Sequence, residues 1–252
     1  MKEFLADLHI HSVLSPCSDL DMTPRNIVDA ALKQGLSMIA ITDHNSTRMC
    51  RIISEFAAKK RLVVIPGVEV NTLEEVHCLA FFGKWKQVAL FQNFLDEHLL
   101  DIHNKPSIFG DQVVINPDEL ILYTEERSLV TGLKVSICEV EAMVHSLDGL
   151  FIPAHIYRRQ NGIIHQLGMI PKALKCDALE ITPGSYSDDY LIKSEIPENL
   201  SRVFNSDAHF TDQIGNFSTI LFMESPNFSE LKLALKNSEG RSVLGLQKIL
   251  GT

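Results

Sequence analysis

Residues 4–11 read Phe-Leu-Ala-Asp-Leu-His-Ile-His, an apolar strand, Phe4–Ile10, that runs into two histidines. The alternation beyond this strand decides the fold. Thr23 suits a helix N-cap and Pro24 the first helical position. Ile27, Val28, Ala31 and Leu32 then recur with helical spacing until Gly35 stops the run. Met38–Ile41 is a buried strand, a helix near Arg48–Lys60 comes next, and Leu62–Ile65 and Val76–Phe82 are the third and fourth strands. Strand and helix alternating at this spacing predict parallel βα units and an α/β fold.

Further along, the pattern is interrupted. Gln87–His103 has a helical pattern, and Lys105–Leu133 is polar and loop-like, with Pro106, Gly110, Pro117 and a Glu125-Glu126-Arg127 cluster. Ser136-Ile-Cys-Glu139 is a capping box that opens a helix to about Leu147. Residues 84–148 therefore read as an insertion, or cap, within a single domain of residues 1–252. The alternation then resumes with strands at Leu150–Pro153, Ala178–Ile181, Val203–Asn205 and Thr219–Met223, and a final helix at Phe228–Lys236.

Composition excludes several classes. With 45% hydrophobic and 22% charged residues, 252 residues suffice for a globular core. The formal charge of −9 argues against a general nucleic-acid coat, so extended nucleic acid is not the expected partner. The five cysteines are scattered and odd in number, and no two form a C-x-x-C pair, which speaks against a disulfide framework or a thiolate zinc site. The N-terminal residues carry no signal-like apolar region, and no apolar run approaches the roughly 18 residues of a membrane span. A cytoplasmic protein without a membrane partner is expected.

The residues capable of chemistry cluster just past strands, where a parallel barrel builds its active site. His9 and His11 lie two apart, so strand alternation puts both on one face. Asp43-His44, Glu69, His77, His155 and Asp207-Ala-His209 each fall at a strand end or start, which places six of the ten histidines at mouths of the expected barrel. Any one of these has a plain structural reading, such as a hydrogen-bonded histidine in a turn. Together they are the nitrogen and oxygen donors that zinc, manganese and iron share.

His9-x-His11-Ser12, Thr42-Asp43-His44, Gly67-Val68-Glu69, His77, Pro153-Ala154-His155 and Ser206-Asp207-Ala208-His209 resemble, in order, the motifs of the PHP (polymerase and histidinol phosphatase) family. The resemblance spans about Leu5 to His209. It implies a distorted (β/α)7 TIM-like barrel that hydrolyses phosphate esters with two or three divalent ions (manganese, zinc or iron). By resemblance, His9, His11, Glu69 and Asp207 hold one ion. Glu69 bridges to a second, held also by His77 and His155, and Asp19, His44 and His209 hold a third. Asp19 comes from aligning on Met22-Thr23-Pro24, with Asp21 as the alternative.

The chemistry of the donors accords with this. Cations close together repel unless an anion lies between them, and Glu69 is the natural bridge. A hydroxide bridging them would attack phosphorus. Arg158 would bind a phosphate oxygen through its planar fork, whereas Arg159 reads as a solvated loop charge. Asp207 and His209 are the candidate catalytic proton carriers, alongside a water on the metal. Asp7 and Asp43 could orient imidazole N–H groups. His98, His103, His145 and His165 match no motif, and nothing places a base beside Cys17. The expected substrate is a small phosphomonoester or a nucleotide end. Two alternatives stand beside it: an amidohydrolase-like enzyme acting on C–N bonds, and a non-catalytic metal-binding regulatory module.

Overall fold

β1 (Lys2–Ile10) is the strand around which the sheet is arranged, and it is paired on both sides. The structure, a computed structural model, describes residues 1–183 and 200–248. On one side β1 runs parallel to β2 (Met38–Ile41), which runs parallel to β3 (Val63–Asn71). Between β1 and β2 lies α1 (Pro24–Lys33). Thr23 Oγ1 caps it by accepting from Asn26 N, and Ile27, Val28 and Ala31 are buried. α2 (Cys50–Ala58) links β2 to β3 and buries Cys50, Ile53 and Ala57. The expected βα units are present here.

Beyond β3 the topology departs from uniform alternation. β4 (His77–Phe81) is antiparallel to β3, with Asn71 opposite His77. Residues 72–76 are too few for the crossover of a dozen or more that a parallel strand needs, so the chain turns back as a hairpin. After α3 (Trp85–His98), α4 (Pro106–Phe109), the hairpin of β5 (Val113–Ile115) and β6 (Ile121–Thr124), and α5 (Ile137–Ser146), the chain returns as β7 (Leu150–Pro153), antiparallel to β4. A short α6 (Ile163–Leu167) leads to β8 (Ala178–Glu180), which pairs in parallel with β9 (Ser201–Val203). β10 (Phe217–Met223) runs antiparallel to β1, and β11 (Ser242–Lys248), after α7 (Phe228–Leu235), antiparallel to β10.

The main sheet is thus a curled, mixed seven-stranded sheet in the order β11-β10-β1-β2-β3-β4-β7. The α/β architecture expected of a distorted (β/α)7 barrel is found. Its strands form a half-barrel sheet of mixed direction rather than seven uniform βα units. Lys105–Leu133, expected to be loop, contains α4 and the β5–β6 hairpin.

Two apolar layers hold the sheet. Phe4, Ala6, Leu8, Met38, Ala40, Ile65, Leu79, Phe81 and Ile152 pack on one face. Ile39, Ile41, Val64 and Phe151 pack on the other, with Ile27, Ile53, Phe91 and Val140 of the helices. Complete burial of a side chain such as Leu8 contributes about 1.5–3 kcal/mol. The register between β1 and β2 shifts between Asp7 and Ile10, an irregularity that takes in His9, the first of the paired histidines. Bulges bend a strand and re-aim its side chains, and they recur beside functional sites.

Candidate metal centre

Glu69 lies inside β3 rather than past its end, because its backbone N–H donates to Thr42 O (3.2 Å) and Asp43 O (3.1 Å) and so continues the ladder. Its carboxylate is the meeting point of five imidazoles. His77 Nδ1 is 2.8 Å and His155 Nε2 3.0 Å from Oε1, and His44 Nδ1 is 3.1 Å from Oε2. His9 Nε2 and His11 Nε2 are each 3.4 Å away. Because β4 is antiparallel, its first residue, His77, shares a sheet end with the last residues of β1 and β2. A uniform parallel barrel could not place a strand-start residue there.

The donor atoms form three groups: His9, His11, Glu69 and Asp207; His44, Glu69 and His77; and His11, His44 and His209. His155 joins them through Glu69 Oε1. Arg158 lies at the edge, with Nη1 2.9 Å from Asp207 Oδ2. Asp19 stands apart from these groups. Its Oδ1 accepts from Asp21 N, while its backbone N–H donates to His209 O. Asp21 is exposed. His11 occupies the place in the third group that Asp19 was expected to take.

Most of these side chains are held from behind. His9 Nδ1 is 3.0 Å from both oxygens of Glu180, which also accept from His155 N and Asn205 Nδ2. His11 Nδ1–H donates to Ser15 Oγ, whose hydroxyl donates to Asp43 Oδ1. His209 Nδ1–H donates to the backbone oxygen of Asp207. In each of the three, fixing Nδ1 as a donor leaves Nε2 as the lone-pair nitrogen aimed inward.

Asp43 therefore acts on His11 through Ser15 rather than directly. Asp7 does not touch an imidazole nitrogen: it accepts from Ser206 N, Ser206 Oγ and Gly215 N and so anchors the Asp207 loop. Glu180 was missed by sequence reasoning. Its one signal was a carboxylate inside the otherwise apolar run Ala178–Ile181.

Two of the ligand candidates have left-handed backbones, His155 at φ 28° and Asp207 at φ 52°. Such strain persists only where the surroundings over-determine it, and it concentrates at functional sites. Gly162 closes the loop that carries Arg158, since a Cβ there would lie 2.3 Å from Arg158 O.

Electrostatics accord with a cation site. Burial disfavours charge on His11, but its bonds to Asp207 and Glu69 outweigh this and raise its pKa to about 9. Burial and then the neighbouring His11 lower His209 to about 4. Burial works against the Glu69 and Asp207 anions, yet the imidazoles, His77 and His9 foremost, hold both well below the usual carboxylate range. Burial, above all else, lifts Asp7 to about 6 and Cys17 to about 12.

The donor set fits divalent metal. His9 Nε2 and His11 Nε2 are 3.2 Å apart and both face Glu69 and Asp207 oxygens, so one cation could replace the protons they share with those carboxylates. His44 Nδ1 and His155 Nδ1 are buried without a hydrogen bond among the described residues. Imidazole and carboxylate together suit zinc, manganese or iron. The groups open into a cavity of about 220 Å³ lined by His44, Glu69, His77, Arg158, Asp207 and His209 among others. The side chains of Asn45 and Asn71 donate to the backbone oxygens of Leu129, Thr131 and Val130, which ties the insertion to the site. No helix among the described residues is long and apolar enough to cross a membrane.

Comparison with known proteins places this geometry. A model of the PHP domain matches residues 7–166. The uncharacterized protein YqxK of Bacillus subtilis (strain 168) is 25% identical over 287 residues, covering 100% of this chain and 67% of YqxK. The lesion-specific endonuclease PfuEndoQ from Pyrococcus furiosus shares the fold at a TM-score of 0.77 and 20% identity, over 99% of this chain and 60% of that one. Endonuclease Q in complex with a 27-mer duplex substrate, with an abasic lesion at the active site, gives a TM-score of 0.73 and 21% identity, over 96% of this chain and 59% of that one. The chain thus spans about three-fifths of the endonuclease chains it matches.

These structures overturn one expectation. Net charge argued against extended nucleic acid, yet this fold is found in complex with a 27-mer duplex substrate, an abasic lesion lying at the active site. Net charge is a property of the whole chain. A site that neutralises phosphate with bound cations does not need a basic surface.

Proposed function

Because the chain belongs to the PHP domain family, which supports a metal-dependent hydrolase, we propose that it hydrolyses a phosphate ester of a nucleic-acid strand, within it or at its end. The observation that carries this reading is the convergence of five imidazoles on Glu69, with Asp207 and Arg158 at its open side. His9, His11, Glu69 and Asp207 would hold one ion, and His44, His77, His155 and His209 would complete positions for one or two more. Divalent ions held there supply neutralisation of the phosphate and an acidified water as nucleophile. The fold shared with endonuclease Q supports the choice of a strand as substrate.

The protein's own groups then position and discriminate. Arg158 spends one N–H on Asp207 and lines the cleft with the rest of its fork, which suits a non-bridging phosphate oxygen. Asp207 stays ionised and fixes that guanidinium. His209, with a pKa of about 4, is neutral at pH 7, which leaves its Nε2 free to hold an ion. Asp207 and His209, expected as catalytic groups, are proposed here as ligands at the reacting phosphate. Residues 84–148 act as a cap, since Val130 lines the cleft. A C–N hydrolase has less support: among the described residues no lysine lines either cavity beside the centre. The five free cysteines accord with a reducing, cytoplasmic setting.

The test is a panel of single-stranded and duplex oligonucleotides, mononucleotides and histidinol phosphate, each with manganese, zinc or iron. Ion-dependent strand cleavage is the expected outcome. Release of phosphate from monoesters alone would refute the strand as substrate. Metal binding without hydrolysis of any substrate would leave a non-catalytic module.

A further inference from the structure

The metal centre opens into a second cavity of about 570 Å³, which shares Cys17, Arg158, Asp207 and His209 with the first. Its far side is formed in part by Phe210 and Gln213. An exposed phenylalanine is ordinary by itself. Phe210 is distinguished by its place: it directly follows His209, it is 47% exposed, and its ring has no aromatic or cationic partner among the described residues. The turn that bears it is braced by hydrogen bonds. Gln213 Oε1 accepts from both His209 N (2.9 Å) and Phe210 N (3.3 Å), and Thr211–Gln213 forms a 3-10 turn. That bonding fixes the amide of Gln213, and its Nε2 has no hydrogen-bond partner among the described residues. An aromatic ring and an amide side chain therefore line one space, next to the arginine that would hold phosphate and the ligands that would hold ions.

We propose that this cavity is a nucleobase subsite, in which the base adjoining the cleaved phosphate stacks on Phe210 and meets the Gln213 amide. The inference rests on the strand-cleaving reading and names how that substrate is gripped. A volume of this size falls in the range of small-ligand pockets. Stacking on an aromatic side chain serves every base, because each has a π-face. It also supplies affinity that the chain's negative charge cannot. A ring borne on a backbone turn already braced by Gln213 gives that affinity at a lower ordering cost than one on an unbraced loop.

The experiment uses the metal-loaded full chain and short oligonucleotide probes in deoxy and ribo forms, each carrying 2-aminopurine or an abasic nucleotide at the same position. Binding is read from 2-aminopurine fluorescence and by competition, and cleavage is followed separately. The wild type is expected to bind the base-bearing probe about tenfold more tightly than the abasic one in at least one sugar form. Phe210→Ala should collapse that ratio toward one, and Phe210→Trp should retain it. An unchanged ratio in Phe210→Ala, or equal binding of both probes by the wild type, would overturn the subsite. If binding shows the ratio but no probe is cleaved, the strand-hydrolysis reading fails while the base subsite stands.

Discussion

At the floor of the cleft, Glu69 is 1% exposed and meets five imidazoles; at its rim, the Arg158 side chain is 48% exposed and meets one carboxylate, Asp207. Floor residues are held redundantly: β-sheet pairing fixes Glu69, Glu180 backs His9, and Ser15 and Asp43 back His11. Rim residues hang on short loops, Arg158 on the one closed by Gly162 and Phe210 on the turn held by Gln213. A charged group out of water needs its partners in place beforehand, so the floor is built for rigidity. The rim must admit a substrate and release it. The difference separates what assembles a metal centre from what chooses a substrate, and substitutions in each region should fail differently.

The largest effect is expected at the bridge. Glu69→Gln removes the anion between the ion positions while keeping the shape, and hydrolysis should fall below about one-thousandth of wild type, a loss of the order seen when electrostatic stabilisation is removed. Elemental analysis of the purified variant should show fewer bound ions per chain. Wild-type metal content and turnover would dissolve the distinction between floor and rim.

Next is the support behind the floor. Glu180→Gln should weaken metal affinity by about 10–100-fold, as other losses of such a backing carboxylate do. Chelator competition measures this. A change confined to KM, with metal affinity intact, would move Glu180 out of the floor.

The floor should also couple to pH. The His11 pKa is raised to about 9 in the metal-free protein. Its contribution to stability is therefore complete below its unfolded pKa of about 6.5 and lost as pH rises through 9. An ion must displace that proton, so metal affinity should run the opposite way, tightening up to about tenfold per pH unit between 6.5 and 9. Thermal melts of metal-free protein and metal titrations, both across that window, check the two slopes. Parallel slopes would mean that His11 is not a ligand.

Smallest is the rim. Arg158→Ala should raise KM for an oligonucleotide by about tenfold, with bound metal unchanged, since a charge-assisted bond at a half-exposed group is partly screened. Steady-state kinetics with elemental analysis separates the two. Loss of metal in this variant would place Arg158 in the floor instead.

Much of the floor was legible in the chain because its donors sit in short local patterns. His9-x-His11, Asp43-His44 and Asp207-Ala-His209 each bring two polar groups to a strand end, where a buried structural role is harder to satisfy. Glu180 was not legible: it is one carboxylate in an apolar run, and its partner His9 is 171 residues away. Ser15 was hidden likewise, since a hydroxyl between an imidazole and a carboxylate leaves no spacing to read. The β3–β4 reversal was obscured because a buried strand has the same apolar pattern in either direction. Only the ten residues between the expected strands, 66–75, too few for a crossover of a dozen or more, could have disclosed it. The rim was least legible, as Phe210 acquires meaning only from the cavity it faces.

The central claim is that ions held on Glu69 and its imidazoles carry out strand hydrolysis. The direct measurement is cleavage of an end-labelled oligonucleotide by the wild-type chain before chelation, after exhaustive chelation, and after manganese or zinc is returned. Cleavage should vanish on stripping and return with the ion, in proportion to metal bound per chain. Cleavage that survives complete stripping, or that no ion ever supports, would contradict the account.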